Sequence, residues 1–120
     1  MDGKNKGLKS EIENAFFLFD NENYDDSLEL IKKYANIGDK GAQLRFGIAY
    51  QFGLGIDRDI FQAKDFFERS AEQGCGSAAH NLGTLYFEQE LLDPIKSKYW
   101  YKKAKDLGFV VAPDEWYEAD

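Results

Sequence analysis

Three segments of the chain carry apolar or small side chains at i, i+3, i+4 and i+7. They are Ser27, Leu30, Ile31 and Tyr34; Ala63, Phe66, Phe67 and Ser70; and Ser97, Trp100, Tyr101 and Ala104. That spacing places four side chains on one stripe of an α-helix. Asn23, Asp59 and Asp93 precede the three stripes, and Gly38, Gly74 and Gly108 each follow 15 residues after. A short oxygen-bearing side chain can accept from the free N–H groups of a first turn. A glycine can take the left-handed conformation that stops a helix. Pro94, directly after Asp93, is tolerated at a helix start. Before each of these helices the pattern predicts another. The first spans about Leu8 to Phe19, with Ile12, Ala15, Phe16 and Phe19 as its stripe, widened by Phe17 and Leu18. The third spans about Lys40 to Phe52, the fourth Ile60 to Gln73, the fifth Ala78 to Gln89 and the sixth Pro94 to Leu107.

The third and fifth helices repeat each other. GAQLRFGIAY, starting at Gly41, aligns with SAAHNLGTLY, starting at Ser77, at an offset of 36. Ala42, Phe46, Gly47 and Tyr50 fall on Ala78, Leu82, Gly83 and Tyr86. A glycine within a helix costs about 0.5–1 kcal/mol relative to alanine. Its recurrence at one register predicts that the backbone of a neighbouring helix approaches closely there. The turn after Tyr50 contains Gly53 and Gly55. The turn after Tyr86 has neither and is two residues shorter before Asp93.

The pattern A-x-x-x-L-G-x-x-Y, then G-x-G, then D-x-x-x-A-x-x-[WF]-[YF]-x-x-[AS]-A-x-x-G resembles the Sel1-like repeat, a relative of the tetratricopeptide repeat. Ala42, Phe46, Gly47, Tyr50, Gly53, Gly55, Asp59, Ala63, Phe66, Phe67, Ser70, Ala71 and Gly74 carry it. The second copy keeps Ala78, Leu82, Gly83, Tyr86, Asp93, Trp100, Tyr101, Ala104 and Gly108. The resemblance covers roughly Asn23 to Gly108. It implies an all-α, right-handed α/α solenoid of about three antiparallel helix hairpins plus a short C-terminal capping segment. The leading hairpin would occupy about 8–38, the repeats 41–74 and 77–108, and the cap 109–120. Such repeats are scaffolds for binding other proteins, and the fold alone does not name the partner.

With 120 residues, 43% hydrophobic and 16% aromatic, the chain can fold as one domain with a modest core. A net charge of −7 and a pI near 4.7 disfavour nucleic acid and favour a basic protein partner. The N-terminal MDGKNKGLKSEIE lacks the apolar run of a signal peptide, and no stretch approaches the ~20 apolar residues of a membrane span. The expected location is therefore the cytoplasm, and the expected state a monomer. Cys75 is the sole cysteine, which excludes an intramolecular disulfide, and reads as a small residue in the loop after Gly74.

No catalytic constellation emerges. His80 is the single histidine, at the inward side of the fifth helix, and reads as a satisfied, partly buried residue. One histidine and one cysteine do not make an ordinary zinc site. DNENYDD, Asp20 to Asp26, lacks the glycine and distal glutamate of a calcium loop. GLG at Gly53 is followed by no lysine plus Ser/Thr, so it is not a phosphate loop. No cofactor and no metal are expected. KSKYWYKKAK, from Lys96, mixes basic and aromatic residues, but Trp100 and Tyr101 belong to the core stripe.

What remains is surface. The inner, concave wall should be lined by Arg45, Ala49 and Phe52 on the third helix and by Asn81, Leu85 and Glu88 on the fifth. Phe87 and Glu90 adjoin it, and Trp116 reads as a plug for the open end of the stack or a partner contact. The expected function is a non-catalytic protein–protein interaction module. By analogy with short bacterial members of the family, it would be an inhibitor or immunity-type protein for one basic partner such as a toxin or nuclease. The alternatives are an adaptor in signalling or protein quality control and a small enzyme or ligand-binding helical domain.

Overall fold

The computed structural model describes residues 3–109, with side chains from residue 11 onward. Six helices follow in order: α1 (Gly3–Asp20), α2 (Tyr24–Ile37), α3 (Lys40–Phe52), α4 (Ile60–Glu72), α5 (Gly76–Leu85) and α6 (Pro94–Asp106). No strand occurs among the described residues. The proposed capping segment and Trp116 lie outside them.

Side-chain oxygens start the second helix of every hairpin. Asn23 accepts from the Asp26 N–H at 3.4 Å, and Asp93 from the Lys96 N–H at 3.1 Å. Asp59 accepts from both Phe61 and Gln62, each at 3.1 Å. Gly38, Gly74 and Gly108 all have positive φ and end the same helices. Asp39 caps α3 in the same way, accepting from Ala42 at 2.8 Å. Loss of the double cap in Asp59→Ala is expected to destabilise the chain by about 1 kcal/mol. Urea unfolding followed by far-ultraviolet circular dichroism measures it.

The stripes lie inward. Ser27, Ile31, Tyr34, Ala63, Phe66, Phe67, Ser70, Ser97, Tyr101 and Ala104 are buried, while Leu30 and Trp100 are half-buried. Ser70 and Ser97 satisfy their hydroxyls on carbonyls of the paired helix, donating to Lys40 at 2.8 Å and Gly83 at 2.7 Å. Both therefore pack as small residues without the cost of an unmet polar group.

Gly47 and Gly83 do mark close approach, but not of a backbone. A Cβ on Gly47 would lie 2.6 Å from the Phe67 ring, and one on Gly83 would lie 2.7 Å from the Tyr101 ring. Each glycine is the floor on which an aromatic ring of the same hairpin rests. The register holds because Phe67 and Tyr101 are equivalent positions on α4 and α6.

Two turns differ in length yet close alike. In the first, Gly53 (φ 69°) and Gly55 (φ 74°) reverse the chain, and Asp59 N–H donates to the Tyr50 carbonyl at 2.9 Å. Gly55 also admits the turn against α2, since a Cβ there would meet Leu28 at 2.7 Å and Tyr24 at 2.9 Å. In the second, Asp93 N–H donates to the Tyr86 carbonyl at 2.8 Å. With no glycine available, the chain leaves the helix early and turns through bonds from Phe87 to Thr84 and Glu88 to Leu85. This corrects the expected span of α5, which ends at Leu85 rather than near Gln89. At its other end α5 begins at Gly76, two residues before the expected Ala78, and α1 extends back to Gly3.

Each helix packs on its chain neighbours, and α1, α3 and α5 also meet along one side. One core cluster gathers Phe19, Ile31, Phe46 and Phe66; a second gathers Phe67, Leu82, Leu85 and Tyr86. Ile48 and Tyr50 pack against both, joining them into a continuous core. Repeats that touch only their neighbours give this one-dimensional arrangement.

Candidate protein-binding edge

The structure rearranges the expected inner-wall residues. Ala49 and Leu85 are fully buried and cannot meet a partner. Each stands three residues after a core anchor, Phe46 and Leu82, so each shares the buried stripe. A reading that counted four from Arg45 and Asn81 placed them on the wrong side. Asn81 is partly buried. Arg45 holds the fold: it donates to both carboxylate oxygens of Asp20 at 3.0 and 2.9 Å and to the Gly41 carbonyl at 3.1 Å. Its guanidinium lies 3.9 Å from the centre of the Phe16 ring. Planar stacking and bidentate pairing both suit arginine, and together they clamp α1 to α3.

Glu88 and Glu90 are also engaged. Arg58, in the first turn, donates to Glu90 at 2.8 Å and to Glu88 at 3.2 Å, both in the second turn. Bonding to Glu90 holds the Arg58 guanidinium above its usual range, and bonding to Arg58 holds the Glu90 carboxyl below the usual carboxylate range. A lowered carboxylate pKa contributes stability above the unfolded value, near ~4.3 for glutamate, and loses it as pH falls through the folded one. The trio is exposed, so it acts chiefly to fix the two turns side by side.

Around this pairing stand partly exposed apolar side chains. Beside the first turn, Phe52 at the end of α3 is 61% exposed and Phe61 at the start of α4 60%; in the second turn Phe87 is 51% exposed and Leu92 59%, and Ile95 at the start of α6 is 82% exposed. Phe17, near the end of α1, is also exposed. Scattered exposed apolar residues need no explanation, but a group ringed by charge marks a protein contact. Of the expected contact residues, Glu88 and Glu90 are brought together by Arg58, while Phe52 stands exposed at the end of α3 and Phe87 two residues beyond α5.

His80 packs between the rings of Tyr101 and Phe109, 5.1 and 4.9 Å between centroids. Burial pushes its imidazole below the ordinary histidine value. The unfolded chain therefore takes up the proton first, and stability falls as pH drops below ~6.5. Urea midpoints at pH 7.5 and 5.5 should show this decline, and His80→Gln should reduce it.

Gln43 and Gln73 escaped sequence reasoning. Gln73 donates to the Gly38 carbonyl at 2.8 Å and to Gln43 Oε1 at 2.9 Å, and Gln43 donates to the Ala35 carbonyl at 3.2 Å. A polar residue three positions before Phe46, on an apolar stripe, was the available signal. Among the described residues no three His, Cys, Asp or Glu side chains are grouped to hold a metal ion, and no helix is long and apolar enough to cross a membrane.

A model of the Sel1 repeat matches residues 41–75 and 76–109, more than half of the chain. A sel1-like repeat-containing protein of Acanthamoeba polyphaga mimivirus is 29% identical over 83 residues, covering 69% of this chain and 15% of that protein. DAP3-binding cell death enhancer 1 of Rattus norvegicus is 32% identical over 72 residues, covering 58% of this chain and 14% of that protein. The chain thus spans about a seventh of the length of these curated relatives. Two contiguous repeat matches, the capped hairpins that embody them and a surface built of turns and helix ends agree: the chain belongs to the Sel1 repeat family, a protein-interaction fold.

Proposed function

We propose that the chain is a non-catalytic adaptor that holds a protein partner against its turn edge. The observation that carries this reading is the apolar group Phe52, Phe61, Phe87, Leu92 and Ile95 set around Arg58, Glu88 and Glu90. Exposed aromatic anchors within a charged surround suit the centre and rim of a protein interface. The rat relative, named for binding DAP3, supports a binding role for such repeats.

A second reading makes the chain an inhibitor of a basic toxin or nuclease. The net charge of −7 supports it, because a long-range negative field accelerates encounter with a basic protein. Salt separates the two: for a basic partner, the association rate should fall steeply as ionic strength rises.

The test is affinity capture from the native cell with the full chain and with the combined variant Phe52→Ser, Phe87→Ser, Leu92→Ser. These positions are exposed, so the variant should keep its circular dichroism spectrum. A protein held by the native chain and lost from the variant is expected. Equal retention by both would remove the turn edge from the interface.

A further inference from the structure

The hairpin of α3 and α4 receives α5 on an apolar face. Leu44 and Ile48 of α3 and Phe67 and Ala71 of α4 share one core cluster with Ala78 and Leu82 of α5. The hairpin of α5 and α6 has the corresponding face, and its residues differ. His80 and Thr84 fall 36 residues after Leu44 and Ile48, and Tyr101 and Lys105 fall 34 after Phe67 and Ala71. An imidazole, two hydroxyls and an ammonium thus replace four apolar side chains. The Thr84 and Tyr101 hydroxyls are bonded to each other at 2.9 Å. His80, Thr84 and Lys105 are half-buried. Burying such groups against a purely apolar surface would be costly. The face therefore suits an occupant that carries polar groups of its own.

The chain itself arrives there. After α6, Phe109 crosses to the start of α5: a Cβ on Gly76 would lie 2.9 Å from the Phe109 Cβ, and the Phe109 ring lies 4.9 Å from that of His80. Residues 110–120 follow, and they continue the repeat register. Ala112 and Trp116 fall 34 residues after Ala78 and Leu82. Trp116 is seven residues beyond Phe109, a reach of about 10 Å as helix and about 23 Å extended. Thr84 stands only about 6 Å along α5 from His80. Volume is exchanged in register, since Thr84 is smaller than its counterpart Ile48 and Trp116 larger than its counterpart Leu82. Charge is complementary too: the segment carries Asp114, Glu115, Glu118 and Asp120, and Lys105 stands where α4 has Ala71.

We propose that residues 110–120 of the same chain occupy this face and close the end of the stack. Trp116 seats over Thr84 beside Tyr101, and a carboxylate of the segment pairs with Lys105. The face is built by the helices α5 and α6, not by the exposed apolar residues of the turns, so the proposal does not depend on the adaptor reading.

Trp116 is its own probe. In the full chain with Trp100→Phe, which restores the phenylalanine that the first repeat has at Phe66, it is the sole tryptophan. Its emission is expected to lie well to the blue of that in concentrated urea, with weaker quenching by acrylamide. Thr84→Lys puts a charge in the seat, and Lys105→Glu repels the acidic segment. Both should shift the emission to the red and strengthen quenching while the circular dichroism spectrum stays helical. Phe52→Ser, at the first turn, should leave the emission unchanged. If Trp100→Phe does not fold, the difference between the spectra of the native chain and Trp116→Phe gives the same reading. Emission and quenching equal to those of the unfolded chain overturn the proposal, as does protection that survives both Thr84→Lys and Lys105→Glu. Protection that disappears on dilution assigns the face to the segment of a second copy and overturns it as well.

Discussion

Phe67→Ala is expected to lower the unfolding free energy by about 3–5 kcal/mol, the cost of truncating a fully buried aromatic. The Phe67 ring is wholly inaccessible and belongs to the cluster formed with Ala63, Ala71, Ala78, Ala79 and Leu82. Five of the nine other buried members of that cluster are alanine. Small side chains on rigid helices cannot swing inward to refill the space, so the site should collapse poorly and the cost should sit toward the upper end. The ring also rests on Gly47, so its loss removes contacts between α4 and α3 as well as between α4 and α5. Because each repeat touches only its neighbours, a weakened centre can uncouple the two halves. Urea unfolding should therefore show a lower midpoint, and the transitions followed by tyrosine and tryptophan fluorescence and by circular dichroism should separate. Phe61→Ala, at an exposed position of the same helix, is the control and should shift stability by less than about 0.5 kcal/mol.

Most of the fold could be read from local chemistry. Caps at Asn23, Asp59 and Asp93, stops at Gly38, Gly74 and Gly108 and the stripes between them depend on residues within one helix, and the structure reproduces them. The glycine register also emerged, although the ring that occupies it did not. Gly47 meets Phe67 from 20 residues away in the chain, and only the packing of α3 on α4 decides whether a ring or a backbone arrives. The candidate surface was harder for the same reason. Arg45 pairs with Asp20 and Arg58 with Glu88 and Glu90 across separations of 25, 30 and 32 residues. A helical wheel shows charged residues facing outward and says nothing of the neighbouring hairpin that will meet them. Ala49 and Leu85 were misplaced because a helix flanked on several sides buries a wider stripe than one with a single contact face. The early end of α5 follows from a turn that must reverse without glycine, a constraint visible in the sequence but not its solution.

Gly47→Ala tests the ring-on-glycine contact directly. Helix propensity alone predicts stabilisation of about 0.5–1 kcal/mol. The added methyl would stand 2.6 Å from two atoms of a ring that has no solvent to retreat into. Overpacking of this kind typically costs about 1–3 kcal/mol, so the net effect should be destabilising by roughly 1–2 kcal/mol. Gly83→Ala should behave alike and is the stricter case. Its methyl would stand 2.7 Å from the Tyr101 ring, and the Tyr101 hydroxyl is held to Thr84 Oγ1 at 2.9 Å, which limits the ring's freedom to tilt. A double-mutant cycle separates contact from propensity. Phe67→Leu removes the ring edge that the methyl would strike, so Gly47→Ala in that background should become neutral or stabilising, with a coupling energy above about 0.5 kcal/mol. Additive effects would mean that ring and glycine are energetically independent, and the close approach would then lose its role in setting the hairpin register.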